Sequence, residues 1–241
     1  MASTAAATPA AASAAAPAAA ATEAPDWEAV LEDDTVPRGG SSALYTTKAY
    51  WDHRFEREEH HEWLAGYDAI AALVRAAVPD KGARLLLVGC GTSTLAADLV
   101  DDGYRNVVAT DYSEVVVARM AAKYAASHPA IVWQVQDMRA LSAADASYDV
   151  VFDKAAMDAV LAHGADVWDP PEPLLATAAA IMREAARVLV PATGVYLQLS
   201  FAQPHFRRPY LLQAPADWRG GVTKADVPVG FGYFFYTLHR A

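Results

Sequence analysis

Three places in the chain carry residue types that could meet a nucleoside. The first is "RLLLVGCGTSTLA", residues 84 to 96, where four apolar residues run into Gly89, Cys90 and Gly91 and then into small hydroxyl residues. Glycine serves where the backbone must be approached closely, because it has no side chain to block the approach. The second is Asp111 in "VVATDYSE", 22 positions after Gly89, the distance at which an acidic residue meets a ribose. The third is Asp137, closing "IVWQVQD", placed to meet an adenine amino group while Met138 offers the adjacent backbone N–H. Any one of these is weak, since Asp is common at strand ends as a helix cap. Position 94 is Thr, so the turn does not read as the dinucleotide pattern GxGxxG. In order, however, glycine, carboxylate and carboxylate on three successive strand ends point to a nucleoside.

Those residues need strands that end side by side. The runs "RLLLVGC", "NVVATDY", "IVWQVQD", "YDVVFDK" and "GVYLQLS" are β-rich, and helical stretches such as "STLAADLVDDG", "SEVVVARMAAKYAASH" and "PLLATAAAIMREAARVLV" lie between them. Such alternation predicts βαβ units, right-handed crossovers and a parallel sheet with helices on both faces. In such a sheet ligands sit beyond the carboxyl ends of the strands. A helix leads into the domain, with Ile70, Leu73, Val74 and Val78 at helical spacing until Pro79. The end differs: "WRGGVTKADVP" and "GYFFYTLHRA" read as an antiparallel hairpin with no helix between.

Bulk properties narrow the class. Of 241 residues, 54% are hydrophobic, but Ala inflates that figure, mostly within "MASTAAATPAAASAAAPAAAATEAP". Residues 1–40 are expected to be a low-complexity Ala/Pro-rich disordered tail, and 41–241 one catalytic domain. The tail has no Lys or Arg before Arg38 and lacks the length and bulk of a membrane span. A formal net charge of −10 argues against nucleic acid as a general partner. A single cysteine, Cys90, allows no internal disulfide and fits the cytosol. "EEHHEW" at 58 to 63 lacks HExxH spacing, so no metal is expected there. "HFRR" at 205 to 208 reads either as a solvated loop or as a basic lip facing substrate, and Tyr233, Phe234, Phe235 and Tyr236 read as sheet core.

The segments "YWDHRF" (50 to 55), "LLLVGCGTSTLAADLVDDGYRNVVATDYSEVVVARM" (85 to 120), "SYDVVFDKAAMDAVL" (147 to 161) and "PHFR" (204 to 207) together resemble the S-adenosylmethionine-dependent methyltransferases of the elongation factor one-alpha lysine and N-terminal methyltransferase group. The resemblance spans roughly residues 45 to 240. It implies a Rossmann-like, seven-stranded class I methyltransferase sheet, S-adenosylmethionine as cofactor, and a protein lysine as acceptor, with elongation factor one-alpha as the expected partner. Carried over by position, it puts Trp51, Phe55 and Trp63 near the cofactor, and Gly89 at its methionine portion, with Gly91 also among the cofactor-binding residues. It puts Asp111 and Tyr112 at the ribose and adenine, Asp137 and Met138 at the adenine, and Lys154 beside the methionine end. Where the group reads "DKGTLDAL" this chain reads "DKAAMDAV", so Ala155 and Ala156 replace glycine and threonine on the substrate side; Thr92 replaces Asn in the GCGNS-type turn.

The chemistry implied is alignment more than acid–base work. A sulfonium methyl is already an electrophile, so the protein must hold nucleophile, carbon and sulfur in line with reacting atoms about 3–3.5 Å apart. Asp153 is the residue expected to orient the amine. Three other readings share parts of the pattern: a small-molecule methyltransferase, a nicotinamide-dependent oxidoreductase, and an interaction module weakened by the two alanines.

Overall fold

The computed structural model describes residues 42–162 and 168–241; the stretch expected as a tail lies outside the described residues. Five strands follow the β-rich runs: β1 (Arg84–Val88), β2 (Asn106–Asp111), β3 (Val132–Val135), β4 (Val150–Lys154) and β5 (Val195–Ser200). They pair in parallel, and β6 (Trp218–Val227) and β7 (Tyr233–Arg240) complete a sheet of order β3-β2-β1-β4-β5-β7-β6, in which β7 is antiparallel to both neighbours. The expected parallel sheet with a closing hairpin is what forms.

Among the described residues seven α-helices accompany it: α1 (Lys48–Arg57), α2 (Ala71–Ala77), α3 (Leu95–Asp101), α4 (Glu114–Tyr124), α5 (Ala156–Val160), α6 (Glu172–Val188) and α7 (Pro204–Leu211). Alternation along β1 divides the core. Leu85 and Leu87 join one apolar cluster with Val74, Leu99 and Met120, while Leu86 and Val88 join the other with Ile181 and Met182. Both faces of β1 are therefore dry, which is why its sequence is a continuous apolar run. The α6 stripe of Leu174, Ala178, Ile181, Met182, Ala185 and Val188 recurs at helical spacing and is buried against the second face.

The helix expected from the spacing of Ile70, Leu73, Val74 and Val78 forms as α2, and it is separate from α1. After α1 the chain leaves helical geometry over residues 58–66, makes a short 3₁₀ turn at Tyr67–Ala69, and becomes helical again in α2. Apolar periodicity holds only from Ile70 onward. The charged run before it is tied to the Gly89 turn by bonds from Glu58, His61 and Glu62.

Candidate active site

At the end of β1 the chain turns tightly through two glycines. Gly89 and Gly91 have φ of 61° and 50°, in the left-handed region that side chains disfavour. A Cβ at Gly89 would lie 2.4 Å from the Cβ of Ala156. A Cβ at Gly91 would touch the Phe55 ring at 3.7 Å. The amide of Gly91 donates to Asp111 Oδ2 and that of Ser113 to Oδ1, each at 3.0 Å. Asp111 is buried, and burial pushes its carboxyl up to about 6 despite those two backbone donors. A carboxylate oxygen has two acceptor sites, so a further donor, such as a ribose hydroxyl, would relieve that penalty.

A cavity of about 920 Å³ runs along the carboxyl ends of the strands. Strand order explains its lining. Asp137 follows β3, Asp111 and Tyr112 close β2, Gly89 and Gly91 follow β1, and Lys154 ends β4. Beyond them, Phe201 follows β5, and Val227 and Tyr233 bracket the tip of the β6/β7 hairpin. Trp51, Phe55, Trp63 and Met138 also line the cavity. The Trp51 and Phe55 rings stack with centroids 5.5 Å apart, and the Trp51 indole donates to the Tyr45 carbonyl at 2.7 Å. Asp137 takes a two-pronged contact from Arg139, with Nη2 at 2.6 Å from Oδ2 and Nε at 2.9 Å from Oδ1. Burial opposes its charge, yet the bonds from Arg139 hold the carboxyl below its ordinary value. Every cofactor-side residue named from sequence thus meets in one place. A glycine turn without side chains, a buried carboxylate with spare acceptor capacity and stacked aromatic faces suit an adenosyl group joined to a cation.

The run "EEHHEW" proves to be a strap over that turn. Glu58 accepts from the Thr92 hydroxyl at 2.8 Å, and the amide of His61 donates to Thr92 Oγ1 at 3.0 Å. Glu62 accepts from the Ser93 hydroxyl at 2.8 Å and the Thr94 amide at 3.1 Å. Lys154 clamps the strap from below, donating to the Trp63 carbonyl at 2.7 Å and pairing with Glu62. Burial holds the Lys154 ammonium below its ordinary value, with Glu62 resisting; burial of Glu62 is outweighed by Lys154, Ser93 and Thr94, which keep it ionised. Among the described residues no group of three or more metal-ligating side chains gathers.

Asp153 is the one site residue the structure moves elsewhere. Alternation along β4 sends it to the face of Val151 and Lys154 to the face of Phe152, so the two neighbours cannot both meet the cavity. Asp153 is fully buried and accepts from the Ala156 amide at 2.8 Å, Gln198 Nε2 at 2.7 Å and the Tyr196 hydroxyl at 3.0 Å. It ties the start of α5 to β5 and does not line the cavity. Burial raises its carboxyl to about 6, with the Gln198 bond opposing.

Asp158, the third residue of α5, does line the cavity. It accepts from the Ser200 hydroxyl at 2.7 Å and pairs with buried Arg207 of α7. Its Oδ2 has no hydrogen-bond partner among the described residues. "HFRR" is accordingly neither loop nor basic lip: it lies in a helix whose Arg207 points inward and whose Arg208 is exposed. Ala155, where the group has glycine, keeps the glycine conformation with φ of 65°. Of the hairpin aromatics, Phe235 and Tyr236 are core, while Tyr233 and Phe234 are half-buried and line the cavity.

Comparison with known proteins agrees with this geometry. A methyltransferase-domain family model matches residues 85–192. The chain is 34% identical over 199 residues to EEF1A lysine methyltransferase 4 of Mus musculus, covering 81% of this chain and 76% of that protein. It is 33% identical over 167 residues to the Homo sapiens eEF1A lysine and N-terminal methyltransferase, covering 68% of this chain and 23% of that one. Among solved structures, magnesium protoporphyrin IX methyltransferase from Synechocystis PCC 6803 with bound SAM superposes with a TM-score of 0.54 at 14% identity, over 86% of this chain and all of that one, a likeness of fold alone. The chain belongs to the S-adenosylmethionine-dependent class I methyltransferases, in the family of the eEF1A lysine methyltransferases.

Proposed function

We propose that this chain methylates a lysine amine on a protein, with eEF1A as the acceptor. The observation that carries the reading is the division of one continuous cavity along the strand ends. Gly89, Asp111 and Asp137 line the β1 to β3 half, and Asp158, Phe201 and Tyr233 line the half from β4 to the hairpin. The bound cofactor supplies a sulfonium methyl that is already activated. In this reading Asp111 accepts from the ribose hydroxyls, Tyr112 and Met138 flank the adenine, and Asp137, steadied by Arg139, meets its amino group. Trp51, Phe55 and Trp63 give aromatic faces to the cationic end, and Lys154 acts through the strap by fixing Trp63.

Asp158 takes the role expected of Asp153. A lysine must be neutral to attack, and lowering its protonation from a pKa of about 10.4 to pH 7 costs about 4.6 kcal/mol. A buried site disfavours the ammonium, and the cofactor cation does so again. Asp158 then aligns the amine, while Arg207 and Ser200 hold the carboxylate in place. The name of the mouse relative supports eEF1A as acceptor, and a lone thiol fits a reducing cytosol.

The test is to incubate purified chain with labelled cofactor and recombinant eEF1A and to locate the label by peptide mass. Label on a lysine is expected. Asp158→Asn should lower kcat by about 100-fold, the low end for a positioned proton-handling group, with S-adenosylhomocysteine affinity little changed. Label only in the small-molecule fraction of a lysate would overturn the protein-lysine reading.

A further inference from the structure

Among the described residues, the rim of the acceptor half is apolar and uncovered. Phe201 is 60% exposed and Phe231 is fully exposed, yet both line the cavity, so both stand at its edge. Register brings them together: Ser200 of β5 lies opposite Phe234 of β7, and Val227 opposite Tyr233, which puts the hairpin tip, residues 228–232, beside Phe201. Val229 at that tip is also exposed. Of the six large hydrophobic residues exposed among the described residues, Phe201 and Phe231 line this one opening, and Val229 stands two positions before Phe231 in the same hairpin tip. Scattered single hydrophobics on a surface need no explanation, whereas a cluster bordering a site does.

Charge says what the rim can receive. The two cationic side chains lining the cavity, Lys154 and Arg139, are each paired with a carboxylate. Asp111, Asp137, Asp158 and Asp226 also line it, and the whole chain carries a formal −10. A cationic side chain entering the acceptor half meets no unpaired positive group among the described residues, and an acidic one would meet Asp158, whose Oδ2 has no hydrogen-bond partner among them, and Asp226, which pairs with Lys224. We infer that Phe201, Val229 and Phe231 form a docking lip for the acceptor protein itself, and that the lip selects a lysine flanked by apolar residues on a surface that is not acidic. This rests on the protein-lysine reading above. The amine enters the cavity while the phenyl rings cover the residues on either side of it, which is the arrangement expected of aromatic anchors at the centre of an interface.

The experiment compares wild type with Phe201→Ala, Phe231→Ala and Phe231→Leu, using recombinant eEF1A as acceptor. Three quantities are read: kcat/KM for eEF1A, S-adenosylhomocysteine affinity by calorimetry, and molar mass by light scattering. Each alanine variant should lose about tenfold in kcat/KM, as truncation of an interface anchor does, chiefly through KM. Cofactor affinity should stay within about twofold, because neither ring belongs to the β1 to β3 half, and Phe231→Leu should recover most of the loss. A wild type that labels eEF1A and alanine variants that label it equally well would overturn the lip while leaving the methyl transfer intact. Wild-type dimers that become monomers in Phe231→Ala would overturn it as well, assigning the surface to a second copy of this chain. A wild type that labels only small molecules would overturn both readings.

Discussion

Replacing Gly89 by Ala isolates the reason for the turn. The φ of 61° costs an L-residue about 1–2 kcal/mol. The added methyl would lie 2.4 Å from Ala156 Cβ, where carbon atoms prefer about 3.5–4.0 Å. The start of α5 must therefore retreat by about 1 Å, an overpacking that costs about 1–3 kcal/mol. The two together give about 2–5 kcal/mol, or a fall in Tm of about 4–20 °C for a domain of this size. Calorimetric melting of Gly89→Ala, Ala156→Gly and the double variant reads both parts. Ala156→Gly should return the overpacking share in the double variant and leave the backbone share, so the two changes couple by about 1–3 kcal/mol, as contacting sites do. Additive effects, or a Gly89→Ala protein melting within about 2 °C of wild type, would refute the account of the turn.

Because burial raises Asp111 to about 6 in the free protein and ribose hydroxyls bond its ionised form, S-adenosylhomocysteine affinity should be level above about pH 6 and fall nearly tenfold per unit below it. Calorimetry in buffers of different ionisation heat should show proton release on binding near pH 6, lost in Asp111→Asn; a flat pH profile in wild type counts against the role. The raised carboxyl of Asp153 keeps its proton in the folded state longer than in the unfolded one, so its share of stability falls as pH climbs from the ordinary carboxylate value to about 6; chemical unfolding of wild type and Asp153→Asn across that interval should show the difference. Ala155→Gly relieves a left-handed alanine and should stabilise by about 0.5–1 kcal/mol; a lower melting temperature would show the strain to be absent. Removing one partner of the Glu62/Lys154 pair, whose side chains are 20% and 5% exposed, should cost about 3–5 kcal/mol, whereas Glu62→Gln with Lys154→Met should cost clearly less than the sum of the two.

The cavity lining along β1 to β3 was legible because it depends on strand ends, and strand ends follow from periodicity and turn chemistry. Once β1, β2 and β3 are neighbours, Gly89, Asp111 and Asp137 must line one edge. The half from β4 to the hairpin depends on which way side chains point: Asp153, expected from the sequence to orient the amine, is turned into the core, and Asp158 lines the cavity. Alternation alone could have warned that Asp153 and Lys154 face opposite sides of β4. Asp158 carried a signal too, standing one helical turn beyond Lys154 in the same quoted motif, but its partner Arg207 lies 49 residues away and no local pattern announces such a pair. The strap was hidden for the same reason: Glu58 and Glu62 find Thr92, Ser93 and Thr94 more than 30 residues on. What the charged run did show was the loss of apolar period between Phe55 and Ile70.

The strap also decides which cofactors the fold can take. In a dinucleotide-binding domain the diphosphate rests on the free amides where the first helix begins. Here the Glu62 carboxylate already bonds the Thr94 amide and the Ser93 hydroxyl at the start of α3, so a protein anion stands in the place of the ligand's. A diphosphate arriving there would find its donors taken and a like charge waiting, while a cofactor without phosphate loses nothing. Putting glycine at Thr94 to restore the dinucleotide pattern would therefore not admit a nicotinamide cofactor. The obstacle is a side chain 32 residues upstream, and cofactor choice in this chain is made by the segment that precedes the sheet.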